Sequence, residues 1–238
     1  MNVNFKLELL KDLSKYKDEV FAKYNAKFFR TYKGGYGEGD FFWGIRASYL
    51  RCIAVKYFKC MTLEDNEELL QYIVHEVRVI ALMILTEMYR KANSNSGLRF
   101  DIMQIYLRNF KYINNWDLVD LSAPHIPGHY WYKNSLKDLW GYAKSGNLWK
   151  ERTSIVSTFY FIKHGRFAET LKLSKLFMPH KHDLIHKASG WMLREIGKID
   201  VKQLILFLDA YSRLMPRTML RYSIEKLSNE EKEYYLKR

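Results

Sequence analysis

The apolar residues of this chain recur every three or four positions along most of its length, which is the period of an α-helix. Such stripes run through Phe5 to Leu13, Ile73 to Leu85, Ile102 to Ile113, Leu148 to Phe161 and Ile185 to Ile196. Strand-like alternation beyond four residues is scarce. Between the stripes, Thr62 to Asp65 and Ser228 to Glu231 have the pattern of capping boxes, which begin helices. The sequence therefore predicts an all-α fold.

Short connections between these helices predict antiparallel helix pairs. Such pairs stack either as a bundle or as a solenoid, and periodicity alone leaves both open. No shift in composition marks a boundary, so we expect one domain over residues 1–238. Hydrophobic residues make up 48% of the chain, which is enough for a sizeable core.

The chain is strongly basic. Lys and Arg number 39 against 26 Asp and Glu, a formal net charge of +13 with His neutral. This excess favours DNA, RNA or an anionic membrane surface as partner, and charge alone does not choose among them. The sequence has no apolar run long enough to span a bilayer and no signal-peptide pattern at its start. With only Cys52 and Cys60 it has no disulfide framework, so we expect a cytoplasmic setting without membrane contact.

Trp116 and Asp120 form the most informative pair. Asn114 is a candidate helix cap, and Asp117 then falls in the first turn, where the helix dipole favours an anion. Trp116 and Asp120 are four residues apart, so they share one helix face. The plainer interpretation makes Trp116 a core residue and Asp120 a solvated charge. These residues by themselves leave both interpretations open.

Three basic clusters are further candidates. Arg152 is suited either to clamp a phosphate or to pair with a glutamate on the solvent side. Gly190 precedes Trp191 inside a helix, where glycine costs about 1 kcal/mol against alanine. We therefore expect another helix or a ligand to approach it closely. Arg217 and Arg221 share one helix face, which either binds an anion or is merely solvated.

Nucleotide and metal chemistry are not favoured. The glycine-rich segment Gly34 to Asp40 lacks the Gly-Lys-Ser/Thr of a P-loop and follows no strand, so we expect an ordinary loop between helices. His182 and His186 have a spacing that zinc accepts, with His180 nearby, but no obvious further ligand follows. We expect neither a metal nor a cofactor.

A series of short motifs runs through the chain in order. It comprises Tyr36-Gly37-Glu38-Gly39-Asp40 with Phe42 and Gly44-Ile45, Glu76-Val77-Arg78 with Ala81-Leu82, Asn114 to Asp120 with Ala123-Pro124-His125, Trp149 with Arg152-Thr153, Lys187-Ala188 with Gly190 to Glu195, and Met215 to Thr218 with Leu220-Arg221-Tyr222. Together these motifs resemble the DNA alkylation repair glycosylases of the AlkD family, from about Tyr32 to Tyr222. One departure is Arg46-Ala47-Ser48-Tyr49, where many relatives have a proline near the helix start.

The resemblance implies a curved all-α solenoid of HEAT-like helix pairs whose basic concave face holds duplex DNA. It also implies excision of N3- and N7-alkylated purines from that DNA, and we expect a monomer. Carried over residue by residue, Asp120 matches the catalytic aspartate, and Trp116 and Trp191 match the flanking tryptophans. The further DNA-binding candidates are Arg152, which matches the arginine near the DNA backbone, Tyr32, which matches a tyrosine lining the site, and Lys187, Arg194 and Arg217.

The competing interpretation is a catalytically silent helical-repeat scaffold that binds nucleic acid, since composition and charge fit it equally well. The joint presence of Asp120 with Trp116, Trp191 and Arg152 favours the enzyme. A scaffold has no need for a carboxylate that faces DNA phosphates.

Overall fold

The computed structural model of the protein describes residues 4–93 and 95–238, and this part of the chain is built from helices. Its fifteen α-helices are α1 (Phe5–Ser14), α2 (Glu19–Phe28), α3 (Ala47–Tyr57), α4 (Leu63–Leu70), α5 (His75–Lys91), α6 (Ser96–Arg108), α7 (Trp116–Ser122), α8 (Pro127–Lys133), α9 (Lys137–Ala143), α10 (Leu148–Lys163), α11 (Ala168–Leu176), α12 (Asp183–Ile199), α13 (Val201–Tyr211), α14 (Arg217–Ser223) and α15 (Asn229–Lys237). Within these ranges there is no β-strand, only an isolated bridge between Phe41 and Val74. No helix of the described chain has the length and apolarity that crossing a membrane requires. The prediction of an all-α fold is confirmed.

The helices group into two compact units, Met1–Ser122 and Ala123–Arg238, which we call unit 1 and unit 2. Unit 1 contains α1 to α7, and unit 2 contains α8 to α15. The single domain over 1–238 and the curved solenoid stay predictions, and residues 1–3 lie outside the described residues.

Helix α5 is the centre of unit 1, because α3, α4, α6 and α7 all pack against it. Its side chains are therefore buried around nearly the whole circumference, including the fully buried Val77, Ile80 and Ile84. The predicted apolar stripe is wrong at its start. The helix begins at His75, and Ile73 precedes it with 69% of its surface exposed.

Unit 2 is organised around two long helices. Helix α10 packs against α8, α9, α11 and α12, and α12 packs in turn against α11, α13 and α14. The contact between α12 and α14 explains Gly190, since a Cβ atom there would lie 2.5 Å from the Met219 carbonyl oxygen and 2.6 Å from the Tyr222 Cβ. The predicted close approach of a helix is confirmed.

Side-chain caps fix where several helices begin. Both predicted capping boxes are confirmed, because Thr62 caps α4 reciprocally with Asp65 and Ser228 caps α15 reciprocally with Glu231. Asn147 begins α10, because its side-chain oxygen accepts the backbone N–H groups of Trp149 and Lys150. Each such cap satisfies backbone donors that the helix itself leaves unpaired.

Substitution of Gly190 by alanine is expected to lower the free energy of unfolding by about 1–3 kcal/mol, the usual cost of overpacking, because the new methyl group meets backbone rather than a flexible side chain. The matched control is Gly141→Ala in α9, where no atom lies within 4 Å of a Cβ. That change is expected to stabilise the protein by about 0.5–1 kcal/mol. Urea unfolding of both variants measures the difference, and equal effects would contradict the packing argument.

Candidate functional site

Helix α7 carries Trp116 and Asp120 on one face, one turn apart. The Trp116 N–H donates to the Asn115 side-chain oxygen at 2.9 Å, so the helix starts there. The indole stacks on Phe29 with ring centroids 5.2 Å apart and meets the edge of Phe28 at 5.9 Å. Trp116 and Asp120 are both half-buried, so Trp116 is not a fully enclosed core residue and Asp120 is not a fully solvated charge. Aromatic packing holds the indole in place.

A buried carboxylate lies close to this turn and gathers donors from two other elements. Asp40, at the end of the glycine-rich loop, accepts the Arg78 Nη2 at 2.6 Å and the Nδ2 groups of Asn114 and Asn115 at 3.1 Å each. The predicted capping role of Asn114 is therefore wrong. Its side chain is turned toward Asp40, and Asn115 meets the helix start instead. The loop does join α2 to α3 as expected, but it also supplies this carboxylate.

His75, the first residue of α5, lies between two carboxylates. Its Nδ1 is 3.0 Å from the Asp40 Oδ2 and its Nε2 is 2.8 Å from the Asp117 Oδ2. The imidazole is buried and stacks on Phe42 at a centroid distance of 4.5 Å. Burial opposes a charge on the ring, but Asp117 and Asp40 outweigh it and raise the pKa of His75 to about 9. Burial likewise opposes ionisation of Asp40, and His75 with Arg78 nevertheless lowers its pKa to about 2.

Glu76 attaches the segment that follows the glycine-rich loop to α5. Its carboxylate accepts the backbone N–H groups of Trp43, Gly44 and Ile45 at 3.0, 2.7 and 3.1 Å. Three donors on one buried carboxylate satisfy it without a counter-ion. The segment from Asp40 to Ile45 is thus pinned to α5 at both ends.

In unit 2, Trp191 is half-buried on α12, with its ring centroid 6.2 Å from that of Phe159. Arg152 on α10 is only 5% exposed, and its Nη1 donates to the Leu184 carbonyl at 2.5 Å. Arg152 therefore does not lie on the solvent side, where the alternative interpretation placed it. A phosphate contact by Arg152 stays a prediction.

The remaining basic candidates of unit 2 already have partners. Lys187 pairs with Asp183 at 2.9 Å, Arg194 pairs with Glu225, and Arg217 donates to a backbone carbonyl of α15 at 3.0 Å. A phosphate has to share or replace these partners. In unit 1, Tyr32 follows α2 and is 58% exposed, so its ring is open to a ligand.

The histidines of unit 2 have structural contacts. His182 caps α12 by accepting the Leu184 N–H, and the His180 Nε2 lies 3.0 Å from the Glu151 Oε2. Among residues 4–93 and 95–238, no group of three His, Cys, Asp or Glu side chains is placed to hold a metal.

The sequence interpretation missed Asp40, His75 and Asn115 as parts of a site. Their signal was present, because Asp40 ends one of the quoted motifs, His75 directly precedes another and Asn115 lies inside a third. Only the folded chain brings these three motifs together.

The stability of the protein is expected to depend on pH through His75. Because the pKa of His75 in the folded chain, about 9, exceeds the value of 6.5 expected when unfolded, its contribution is complete below pH 6.5 and is lost as pH rises through 9. At roughly 1.4 kcal/mol per pH unit, that loss is about 3 kcal/mol. Urea unfolding between pH 6 and pH 9.5 is expected to show it in the wild type and in His164→Gln, an exposed control, and not in His75→Gln. The same slope in all three proteins would contradict the assignment.

Comparison with known proteins assigns the chain to a family. A family model described as DNA alkylation repair enzyme matches residues 9–227. No curated protein matches the chain at a significant level. A solved structure described as a predicted DNA alkylation repair enzyme from Enterococcus faecalis is similar with a TM-score of 0.67 and 15% identity, covering 90% of this chain and 97% of that one, which shows a shared fold. Because the family model spans most of the sequence, the chain belongs to the DNA alkylation repair enzyme family.

Proposed function

We propose that the protein is a DNA glycosylase that removes cationic N3- and N7-alkylated purines from duplex DNA by hydrolysing the N-glycosidic bond. The observation that carries the proposal is the pairing of Trp116 and Asp120 one turn apart on α7, both half-buried. In a family of DNA alkylation repair enzymes, a carboxylate beside an indole suits a reaction that develops positive charge.

The proposed reaction requires little from the protein beyond stabilisation of a positive charge. Alkylation at N3 or N7 makes the purine cationic, so the base leaves as a neutral molecule without being protonated. The positive charge then grows on the deoxyribose. Asp120 stabilises this oxocarbenium-like sugar or orients the attacking water. No general acid is required.

The aromatic residues complete this environment. In the proposed complex Trp116 packs against the deoxyribose, since the face of an indole attracts positive charge. Trp191 in unit 2 stays a prediction from the resemblance. Stacking on Phe29 keeps the Trp116 ring from turning away. An indole held in advance loses less conformational entropy when the substrate binds.

The basic residues would hold the DNA backbone. A net charge of +13 supports sequence-independent binding that weakens with salt. Lys187 and Arg194 would exchange Asp183 and Glu225 for phosphates, at small cost because exposed ion pairs contribute only about 0–1 kcal/mol. Arg152, which is buried and donates to the Leu184 carbonyl, stays a candidate for a phosphate contact.

Substitution of Asp120 by asparagine is expected to lower the single-turnover rate of 7-methylguanine release by roughly 10²–10³-fold, the usual loss when one electrostatic contact to a transition state is removed. DNA affinity is expected to stay within a few-fold of the wild type. The released base is measured by chromatography from a duplex with one 7-methylguanine, and affinity by fluorescence anisotropy.

Asp101→Asn is the matched control, because Asp101 is an exposed aspartate on α6 of the same unit. It removes the same charge and is expected to leave release unchanged. Unchanged turnover in Asp120→Asn would remove Asp120 from the mechanism. Salt-dependent DNA binding without release of 7-methylguanine or 3-methyladenine by the wild type would favour the catalytically silent scaffold.

The wild type is expected to release uracil from duplex DNA at least about 100-fold more slowly than 7-methylguanine. Uracil is neutral, so its departure needs protonation of the leaving group. General acid–base catalysis of this kind typically raises the reaction rate by roughly 10²–10⁴-fold. Matched duplexes that differ only in the lesion test this under single-turnover conditions. Efficient uracil release would contradict the mechanism.

A further inference from the structure

The imidazole of His75 is buried, and its hydrogen-bond geometry requires it to be charged. The proposed reaction does not use this side chain. Both ring nitrogens lie within hydrogen-bond distance of carboxylate oxygens, at 3.0 Å for Asp40 and 2.8 Å for Asp117. An ionised carboxylate only accepts, and a neutral imidazole has a single N–H. Only the imidazolium donates to both carboxylates at once.

The groups that face His75 come from three elements. Asp40 belongs to the glycine-rich loop and is itself held by Arg78, whose Nη2 lies 3.4 Å from the His75 Nδ1. Asp117 belongs to the first turn of α7. Glu76, the next residue on α5, is committed to three backbone N–H groups. The imidazolium therefore links the loop, α5 and α7 through charge-assisted hydrogen bonds.

Asp117 lies between the two residues on which the proposed chemistry depends. Trp116 directly precedes it, and Asp120 follows it within one helical turn. Phe29 adds a second connection, because its ring is 5.2 Å from both the His75 ring and the Trp116 ring. A change at His75 is thus transmitted to α7 by a hydrogen bond and by ring packing.

We propose that His75 is a positioning residue for the proposed glycosylase reaction: held between Asp40 and Asp117, it fixes the first turn of α7 and with it Trp116 and Asp120. This inference rests on the proposed function of the site. His75 itself touches neither sugar nor base. Its effect is on the placement of the residues that do.

The test compares His75→Gln, Asp117→Asn and the double variant with the wild type. Glutamine has a single donor nitrogen and an amide oxygen that only accepts, so it cannot donate at both ends as the imidazolium does. Asparagine removes one of the two charges that hold the ring. We expect each single variant to slow the single-turnover release of 7-methylguanine at least tenfold, with DNA affinity changed less than threefold. The double variant is expected to be no slower than either single variant, because both break the same link.

The matched control separates positioning from general destabilisation. Asp12→Asn weakens a carboxylate contact elsewhere in unit 1, where Asp12 accepts Lys15, Lys56 and Tyr57 between α1 and α3. This variant is expected to release the base at the wild-type rate. A wild-type rate in His75→Gln would overturn the proposal. So would an equal loss in Asp12→Asn, or additive losses in the double variant.

A second readout does not depend on activity. The chain has six tryptophans, and 5-fluorotryptophan labelling with a Trp116→Phe variant assigns the Trp116 resonance. We expect His75→Gln to shift or broaden this ¹⁹F signal and to leave that of Trp191 in unit 2 unchanged. An unchanged Trp116 signal overturns the positioning role. If the wild type releases no base while the signal moves as expected, the glycosylase function fails and the link between His75 and α7 stands.

Discussion

A charged imidazole enclosed by two carboxylates is the interaction that joins the glycine-rich loop, α5 and α7 of unit 1. Burying charges in a protein interior is costly unless each is paired and hydrogen-bonded. Here the partners come from three stretches of chain: Asp40 from the loop, His75 and Arg78 from α5, and Asp117 from α7. His75 contacts both Asp40 and Asp117, so this one side chain holds the loop, α5 and α7 together.

The consequence for function is that a short helix gains a defined position. Helix α7 has only seven residues, too few to be stable by its own backbone hydrogen bonds. Its place is set by packing on α5, by the Asp117 contact and by the stack of Trp116 on Phe29. Trp116 and Asp120 thus sit on an element whose position is set by tertiary contacts. Tight placement of this kind is what catalysis by charge stabilisation requires.

Features that act within one helical turn were predictable from the sequence, whereas contacts between distant residues were not. The capping boxes at Thr62 and Ser228 act within one turn, so they hold in any tertiary context. Gly190 predicted a close contact because glycine destabilises the interior of a helix. The contact with α14 explains why glycine is present there. Asn114 does not cap α7, because its Nδ2 donates to a distant carboxylate and its Oδ1 accepts no helix N–H. Asp40 supplies that carboxylate, 74 residues away along the chain.

The sequence by itself determined the helical fold class, most helix positions, the basic character and the family motifs. Each of these follows from residue type and spacing over a few turns, where the physics is local. Only the tertiary structure decided that Asp40, His75 and Asp117 form one buried link, and that Arg152 is buried against a backbone carbonyl. Such contacts join residues far apart in sequence, and their energy depends on burial and geometry that no local pattern encodes.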